Sequence, residues 1–153
     1  MPETPIAQQV LDFLRQEETD YVAAAKLGEA ALPSLTAIIQ GSDVGLASKA
    51  TYLAGLIGGS TQEQALTLAA QHQSPIVRVA AASAVKNLDP GAAERLLGPL
   101  LNDGDLGVTK LAMQSVQATK LAGKFTARLQ TLSEMTQDST IQNMAKTALK
   151  GVR

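Results

Sequence analysis

The side chains that can carry catalysis in this chain are few and form no reactive pair. The chain has no cysteine and a single histidine, His72, which excludes a thiol nucleophile, a cysteine-ligated metal and a histidine-rich metal centre. Asp103 and Asp105 stand close together, but Asp105 directly precedes an apolar-periodic segment and is better explained as a helix N-cap. Gly58 and Gly59 lie where a predicted helix ends, an ordinary place for glycine. We therefore expect no enzymatic activity, no metal, no cofactor and an exposed His72.

The composition indicates one closely packed helical domain. With 153 residues, 45% of them hydrophobic, the chain is long enough to bury roughly two-thirds of its unfolded surface. Alanine is abundant, aromatic residues make up only 3% and tryptophan is missing, a mixture that favours helices over sheets. The first residues are acidic rather than basic, and no apolar run approaches the ~20 residues that span a bilayer. We expect a soluble, cytoplasmic protein without a membrane partner.

An internal repeat organises most of the chain. Shifting the sequence by 31 residues, and once by 33, superimposes four segments with the same pattern. Each segment opens with a residue whose side-chain oxygen can cap a helix: Asp43, Ser74, Asp105 and Asp138. An apolar residue follows three positions later and an alanine seven positions later: Leu46, Val77, Val108 and Ile141, then Ala50, Ala81, Ala112 and Ala145. The spacing predicts four amphipathic helices with one apolar stripe each.

A second apolar-periodic segment precedes each of these helices, so each repeat is predicted to hold a helix pair. Asp89 with Pro90 marks the start of one such helix, and Thr61 with Gln64 is predicted to form a capping box at another. The ten predicted helices lie near residues 5–17, 20–27, 31–40, 44–57, 62–72, 75–88, 91–102, 106–120, 124–136 and 139–150. No segment shows the alternating pattern of a strand.

Two segments carry a family resemblance. Ala31–Leu35 reads Ala-Leu-Pro-Ser-Leu, and Ile76–Val85 reads Ile-Val-Arg-Val-Ala-Ala-Ala-Ser-Ala-Val. Together with the alternating helix pairs, they resemble HEAT repeats, in the short bacterial variety related to bilin lyase-like repeats. The resemblance implies an all-α fold, a right-handed α–α superhelix (a HEAT-like solenoid) of about five antiparallel helix pairs, as a single domain over residues 1–153. It implies an atypical N-terminal capping pair at 4–28 and repeats at about 29–58, 60–89, 90–120 and 122–151.

The chain departs from the family pattern in two respects. Its 31-residue period is shorter than the roughly 40 to 47 residues usual for HEAT units. The arginine that typically follows the valine of the second helix is present only as Arg78, and its counterparts are Ala47, Thr109 and Gln142. We therefore expect the Asp–Arg ladder between repeats to be mostly missing and the packing to depend on apolar contacts.

The resemblance also implies where a partner binds, because in HEAT-like arrays the second helix of each pair usually lines the concave surface. The solvent side of those helices is predicted to fall five, nine and twelve residues after each cap. It comprises Ser48, Tyr52, Gly55, Val79, Ser83, Lys86, Lys110, Gln114, Gln117, Asn143, Thr147 and Lys150. The candidate partner-binding residues within this set are Tyr52, Val79, Lys86, Lys110, Gln114 and Lys150. The expected function is a monomeric, non-catalytic scaffold or adaptor that binds a protein or peptide.

Two enzymatic alternatives follow from the same resemblance. One is a bilin lyase-like enzyme or chromophore chaperone acting on a light-harvesting protein. The other is a HEAT-like DNA glycosylase, which needs a basic groove lined with aromatic residues, whereas this chain has no tryptophan and a net charge of −1. We therefore expect no nucleic-acid partner.

The charge is distributed unevenly along the chain. Residues 1–43 carry two basic and seven acidic side chains, whereas residues 106–153 carry seven basic and two acidic ones. This gradient has two interpretations: solvated helix faces, or a partner whose acidic region meets the C-terminal repeats.

Overall fold

The computed structural model describes residues 4–152, and ten α-helices make up most of this part of the chain. Helices α1 to α10 span Ile6–Leu14, Tyr21–Ala25, Leu32–Ile39, Val44–Leu56, Gln62–Ala70, Pro75–Ala84, Pro90–Leu101, Leu106–Thr119, Thr126–Met135 and Ser139–Lys150. Short 3-10 turns lie at Glu29–Ala31, Val85–Asn87 and Ala122–Lys124. The described residues contain no strand, which confirms the predicted all-helical class. Nor do they contain a helix that is both long and apolar enough to cross a bilayer.

Side-chain caps fix where the second helix of each repeat begins, as the sequence predicts. The carboxylates of Asp43, Asp105 and Asp138 each accept a hydrogen bond from the backbone N–H three residues later, at 3.0, 3.1 and 3.0 Å. The hydroxyl of Ser74 accepts from the N–H of Ile76 at 3.2 Å. These bonds satisfy N–H groups of the first helical turn that have no partner within the helix.

The capping box predicted at Thr61 and Gln64 is wrong. Thr61 makes no side-chain capping bond. Instead, the side-chain amide of Gln62 donates to the carbonyls of Ala54 and Gly55, at 3.0 Å each. The first turn of α5 therefore caps the carbonyl groups at the end of α4, a contact between elements that a local capping pattern does not reveal.

The helices pack in the order of the repeats. Each odd-numbered helix contacts the even-numbered helix that follows it. The even-numbered helices α2, α4, α6, α8 and α10 contact one another in succession, as do α1, α3, α5 and α7. Buried apolar side chains fill the space between the two sets and include Val77, Val108, Ile141 and the four repeat alanines Ala50, Ala81, Ala112 and Ala145. The apolar stripe found in the sequence therefore lies in the core of the described chain, except for the partly exposed Leu46.

The closest approach of α4 to α6 occurs at Gly55. A Cβ atom added at Gly55 would lie 2.7 Å from the Cβ of Ala84, which is closer than two carbon atoms normally pack. Gly55 is buried in this contact, so its predicted position on the solvent side of α4 is wrong. The reason is that the C-terminal ends of α4 and α6 pack closely at Gly55 and Ala84, where an added side chain would force the two helices apart.

Candidate functional site

The solvent-facing residues of α4, α6, α8 and α10 form what we call the even-helix face. Apart from Gly55, all residues predicted for this face are partly or fully exposed. They are Ser48, Tyr52, Val79, Ser83, Lys86, Lys110, Gln114, Gln117, Asn143, Thr147 and Lys150. The positions nine residues after each cap, occupied by Tyr52, Ser83, Gln114 and Thr147, run along successive helices of the face.

Two of the predicted partner-binding residues, Lys86 and Gln114, line one cleft between α6 and α8. Its volume is about 160 Å³. Its lining is Ser83, Lys86, Leu111, Gln114, Ser115 and Ala118. The buried hydroxyl of Ser115 donates to the carbonyl of Ala82 at 2.6 Å, which ties α8 to α6 beside the cleft. A lysine ammonium and a side-chain amide therefore line the same cleft.

Tyr52 is the one large aromatic side chain exposed on the even-helix face of the described chain, with 39% of its surface accessible. Its ring packs against that of Tyr21 on α2, with centroids 6.3 Å apart and ring planes tilted by 60°. Burial raises the pKa of the Tyr21 phenol. Tyr21 was not among the predicted site residues, because the sequence offers no periodic signal that brings the short α2 against α4.

Val79 and Lys110 are more engaged with the neighbouring repeat than the sequence indicates. Val79 Cγ2 lies 3.7 Å from the position that a Cβ on Gly107 would occupy, so Val79 packs against the start of α8. The ammonium of Lys110 lies 3.4 Å from Oδ2 of Asp138, the residue that caps α10. The pKa of Asp138 is lowered, chiefly by the hydrogen bond from the N–H of Ile141 and further by the charge of Lys110. Lys110 therefore supports the last repeat.

A polar network joins the loops before α6 and α8. Arg78 Nε donates to Oδ2 of Asp103 at 2.8 Å, and Arg78 Nη1 donates to the carbonyls of His72 and Gln73 at 2.9 Å each. Asp103 also accepts from the N–H of Asp105 at 2.9 Å. The carboxylate of Asp103 thus has a structural role, since its donors are all supplied by the protein itself.

Two counterparts of Arg78 make local polar contacts of their own. The hydroxyl of Thr109 donates to the carbonyl of Asp103 at 3.1 Å, and the amide of Gln142 donates to the carbonyl of Thr136 at 2.7 Å. Each accepting carbonyl lies six residues before its donor, as His72 does before Arg78. Only Ala47 lacks a polar side chain at this position. These two bonds join a helix to the loop directly before it, so they do not replace an Asp–Arg contact between repeats; of the four residues at this position, only Arg78 pairs with an aspartate.

His72 is half-buried, in contrast to the exposed residue that the sequence predicts. Its Nδ1 accepts a hydrogen bond from the N–H of Ser74 at 2.9 Å, which leaves the imidazole proton on Nε2. The ring stabilises the turn before α6. Within residues 4–152 no group of three or more histidine, aspartate or glutamate side chains is placed to hold a metal ion.

A larger cleft, of about 590 Å³, lies between the C-terminal ends of α8 and α10; we call it the α8–α10 cleft. Its lining is Val116, Gln117, Lys120, Ala122, Gly123, Thr147, Ala148, Gly151 and Val152. Gln117 and Thr147 were predicted for the even-helix face, whereas Lys120 was not. Lys120 has φ 60° and ψ 33°, and it is the one residue other than glycine with a positive φ in the described chain.

The even helices are strongly asymmetric in charge. Between their caps, α4, α6, α8 and α10 contain lysines and one arginine but no aspartate or glutamate. Lys49 donates to the carbonyls of Leu14 and Gln16, while Arg78 and Lys110 are paired with aspartates as described above. Four exposed lysines in or just after these helices make no side-chain hydrogen bond or ion pair within residues 4–152: Lys86, Lys120, Lys146 and Lys150.

Lys150, which belongs to the even-helix face, also borders a groove on the side of α9. With Lys146, Leu149, Gln130, Ser133 and Glu134 it lines a groove of about 590 Å³ between α9 and α10. The positions in α6 that correspond to Lys146 and Leu149 are Ala82 and Val85, both buried. This side of α10 therefore carries charge where the inner repeat is apolar.

No protein-family model matches this chain, and no curated protein matches it either.

Proposed function

We propose that this protein is a non-catalytic scaffold that binds another protein on its even-helix face. In this proposal the helix pairs form a HEAT-like, right-handed α–α superhelix, and α4, α6, α8 and α10 line its concave side. The observation that carries the proposal is the row formed by Tyr52, Ser83, Gln114 and Thr147. These side chains stand at one repeat position on helices that contact one another in succession.

The row combines one tyrosine, a residue type that commonly anchors protein interfaces, with hydroxyl and amide groups that can bond a partner's backbone. Tyr52 is held against Tyr21, so burying it under a partner costs little side-chain entropy. The α6–α8 cleft adds an ammonium and an amide that are able to bond backbone carbonyls of a bound segment. The Asp103 carboxylate and the half-buried His72 imidazole bond groups of the loops instead, and the exposed side chains of the even-helix face support a role in recognition.

A pull-down from lysate of the source cells tests this proposal. The tagged wild-type chain is compared with the double variant Tyr52→Ala, Gln114→Ala, which truncates two exposed residues of the face. The matched control is Gln64→Ala, Glu94→Ala, which truncates two exposed residues on α5 and α7. A partner that is retained by the control and lost from the face variant supports a scaffold with this binding face.

Lys110 is deliberately left unchanged in this experiment. Reversing its charge would place a carboxylate beside Asp138 and disturb the cap of α10, so a loss of binding would not report on the face. A partner whose binding is reduced equally by both double variants would contradict the proposed face. A monomeric mass by light scattering is expected for the chain alone.

A further inference from the structure

We propose that the α8–α10 cleft binds an acidic segment of the partner protein. In this arrangement one apolar side chain of the segment enters the cleft, and a neighbouring aspartate or glutamate carboxylate bonds the ammonium of Lys120. The inference rests on the proposed function, because it assigns a partner chemistry to one end of the even-helix face.

The walls of the cleft suit an apolar side chain. Val116 and Ala148 contribute buried surface, and Ala122 and Val152 contribute partly exposed surface. Gln117 and Thr147 stand at the same cleft with an amide and a hydroxyl that can bond a peptide backbone. A volume of about 590 Å³ exceeds what one aliphatic side chain fills, so part of the backbone of the segment fits as well.

The charge around the cleft favours a partner of opposite sign. No acidic residue lines it, and Lys120 has no partner within residues 4–152. Lys124 directly follows Gly123 in the chain, and Lys150 directly precedes Gly151, so two further lysines flank lining residues. Unneutralised positive charge at and near the cleft raises the local concentration of acidic ligands and speeds their association.

The backbone of Lys120 provides an independent observation. The N–H of Leu121 bonds the carbonyl of Val116 at 3.2 Å, and the N–H of Lys120 bonds that of Gln117 at 3.3 Å. This is the Schellman pattern, in which the left-handed position is normally filled by glycine because any Cβ there is strained. The backbone of the turn does not require a lysine at that position, whereas the ammonium of Lys120 stands at the cleft. Strained residues of this kind are concentrated at binding sites.

A peptide is favoured over a nucleic acid as the occupant. The described residues that line the cleft include no aromatic ring on which a base stacks. The three lysines are also too few for the run of phosphate contacts that a nucleic acid offers. An apolar wall beside a single cation instead matches an aliphatic residue next to a carboxylate.

The test is a peptide array probed with the fluorescently labelled full chain at low salt. The array contains short peptides in which aspartate or glutamate stands beside each apolar residue type, with matched peptides carrying asparagine or glutamine instead. The tightest peptide is then titrated into isotope-labelled chain. We expect amide shifts to be largest at Ala122, Gly123, Thr147 and Gly151, and binding to weaken as salt is raised.

Four variants separate the role of Lys120 from general effects. Lys120→Gln should weaken binding about tenfold, while Lys120→Arg should retain it. Lys120→Gly should weaken it as much as Lys120→Gln, although it relieves the turn, so misfolding cannot explain the loss. Lys26→Gln removes the same charge from an exposed lysine just after α2 and should change affinity less than about twofold.

Several results would overturn the inference. One is that no acidic peptide binds, and another is that the amide shifts lie away from the cleft. A third is that Lys120→Gln and Lys26→Gln weaken binding equally. A fourth is that single-stranded DNA displaces the peptide with the same dependence on Lys120. A cellular partner that requires Tyr52 and Gln114 but tolerates Lys120→Gln would support the scaffold and overturn the acidic-segment site. The two proposals therefore fail separately.

Discussion

Arg78 on α6 joins two consecutive loops, because its guanidinium bonds Asp103 at 2.8 Å on one side and the carbonyls of His72 and Gln73 on the other. The side chains of Arg78 and Asp103 keep only 20% and 11% of their surface exposed. A pair that is this well covered and this fully hydrogen-bonded is costly to break from one side, since the remaining charge has no solvent to replace its partner.

Replacing Arg78 by alanine should therefore destabilise the chain by about 2–3 kcal/mol. The substitution removes the guanidinium donors of two loop carbonyls and leaves the Asp103 carboxylate with only the backbone N–H of Asp105. Urea unfolding followed by circular dichroism measures the effect. Arg78→Lys should recover only part of the loss, because an ammonium cannot bond both loops in the geometry of the guanidinium. An Arg78→Ala midpoint equal to that of the wild type would contradict this role.

The contact between Gly55 and Ala84 leads to a second prediction, about the stability of a Gly55 variant. Gly55→Ala places a methyl group 2.7 Å from the Cβ of Ala84, so α4 and α6 must separate. We expect a loss of about 1–3 kcal/mol despite the better helix propensity of alanine. The double variant Gly55→Ala, Ala84→Gly moves the methyl group to the other helix and should recover much of the loss. Urea midpoints of the four members of this cycle give the coupling, and additive effects would contradict a direct contact.

The repeat alanines allow the predicted register to be tested directly. Ala81 and Ala112 are buried at equivalent positions of α6 and α8. Substituting leucine at either site should overpack the contact between helix pairs and cost about 1–3 kcal/mol. The exposed Ala118 of α8 serves as the control, and Ala118→Leu should change stability by less than about 0.5 kcal/mol. Thermal midpoints that are equal for all three variants would show that the register is wrong.

The helix pairs could be predicted from the sequence because their signals are local and repeated. Caps such as Asp43 and Asp138 act within one helical turn, and the apolar stripe repeats with the helical period. The burial of Gly55 was not predictable in this way. It depends on how closely the end of α6 packs against the end of α4, and a pattern within one helix carries no information about that contact.

The loop contacts were missed although the repeat alignment contains a signal for them. Two residues before the caps stand His72, Asp103 and Thr136, and each side chain accepts from the N–H of the capping residue, at 2.9, 2.9 and 3.3 Å. Three different residue types thus perform one function, which a search for identical residues does not detect. The fourth counterpart is Gly41, which has no side chain to contribute.

The sequence predicts which residues lie on the even-helix face, but not which side chains pair with one another there. Lys86 follows its cap by twelve residues and Gln114 follows its cap by nine, two spacings predicted for the same helix side, and both residues line one cleft. The pairing of Lys110 with Asp138 and of Tyr52 with Tyr21 depends on neighbouring repeats and the reach of side chains. Lys120 lies beyond the end of α8, where periodic reasoning stops, and the absence of glycine at a helix C-terminus was the available signal.

Lys120→Gly should make the chain more stable even though it removes a charge. The φ of 60° suits glycine, and relief of the left-handed strain should add about 0.5–1 kcal/mol. Lys26→Gly is the control, because Lys26 ends α2 with a φ of −66°, where glycine brings no relief. Urea midpoints of the two variants should move in opposite directions. A destabilised Lys120→Gly chain would show that the lysine side chain supports the fold.

Asp138 should make folding sensitive to acid. Its pKa is lowered in the folded chain by the hydrogen bond from the N–H of Ile141 and then by Lys110. A carboxylate with a lowered folded-state pKa stabilises the fold at pH values above its ordinary pKa, about 4, and this contribution is lost as the pH falls through the lower folded-state value. Asp138→Asn keeps a capping oxygen but does not titrate.

The measurement is the difference in urea midpoint between the wild type and Asp138→Asn as a function of pH. The wild type should be the more stable chain from about pH 5 upward, and the difference should shrink as the pH falls toward about 2. Because every other acidic group titrates in both chains, those contributions cancel to first order. Lys110→Gln should reduce the pH-dependent difference without removing it, since the first cause of the lowered pKa is the backbone hydrogen bond. A difference that stays constant down to the lowest pH would contradict a charged cap at Asp138, and one that vanishes in Lys110→Gln would assign the effect to the ion pair alone.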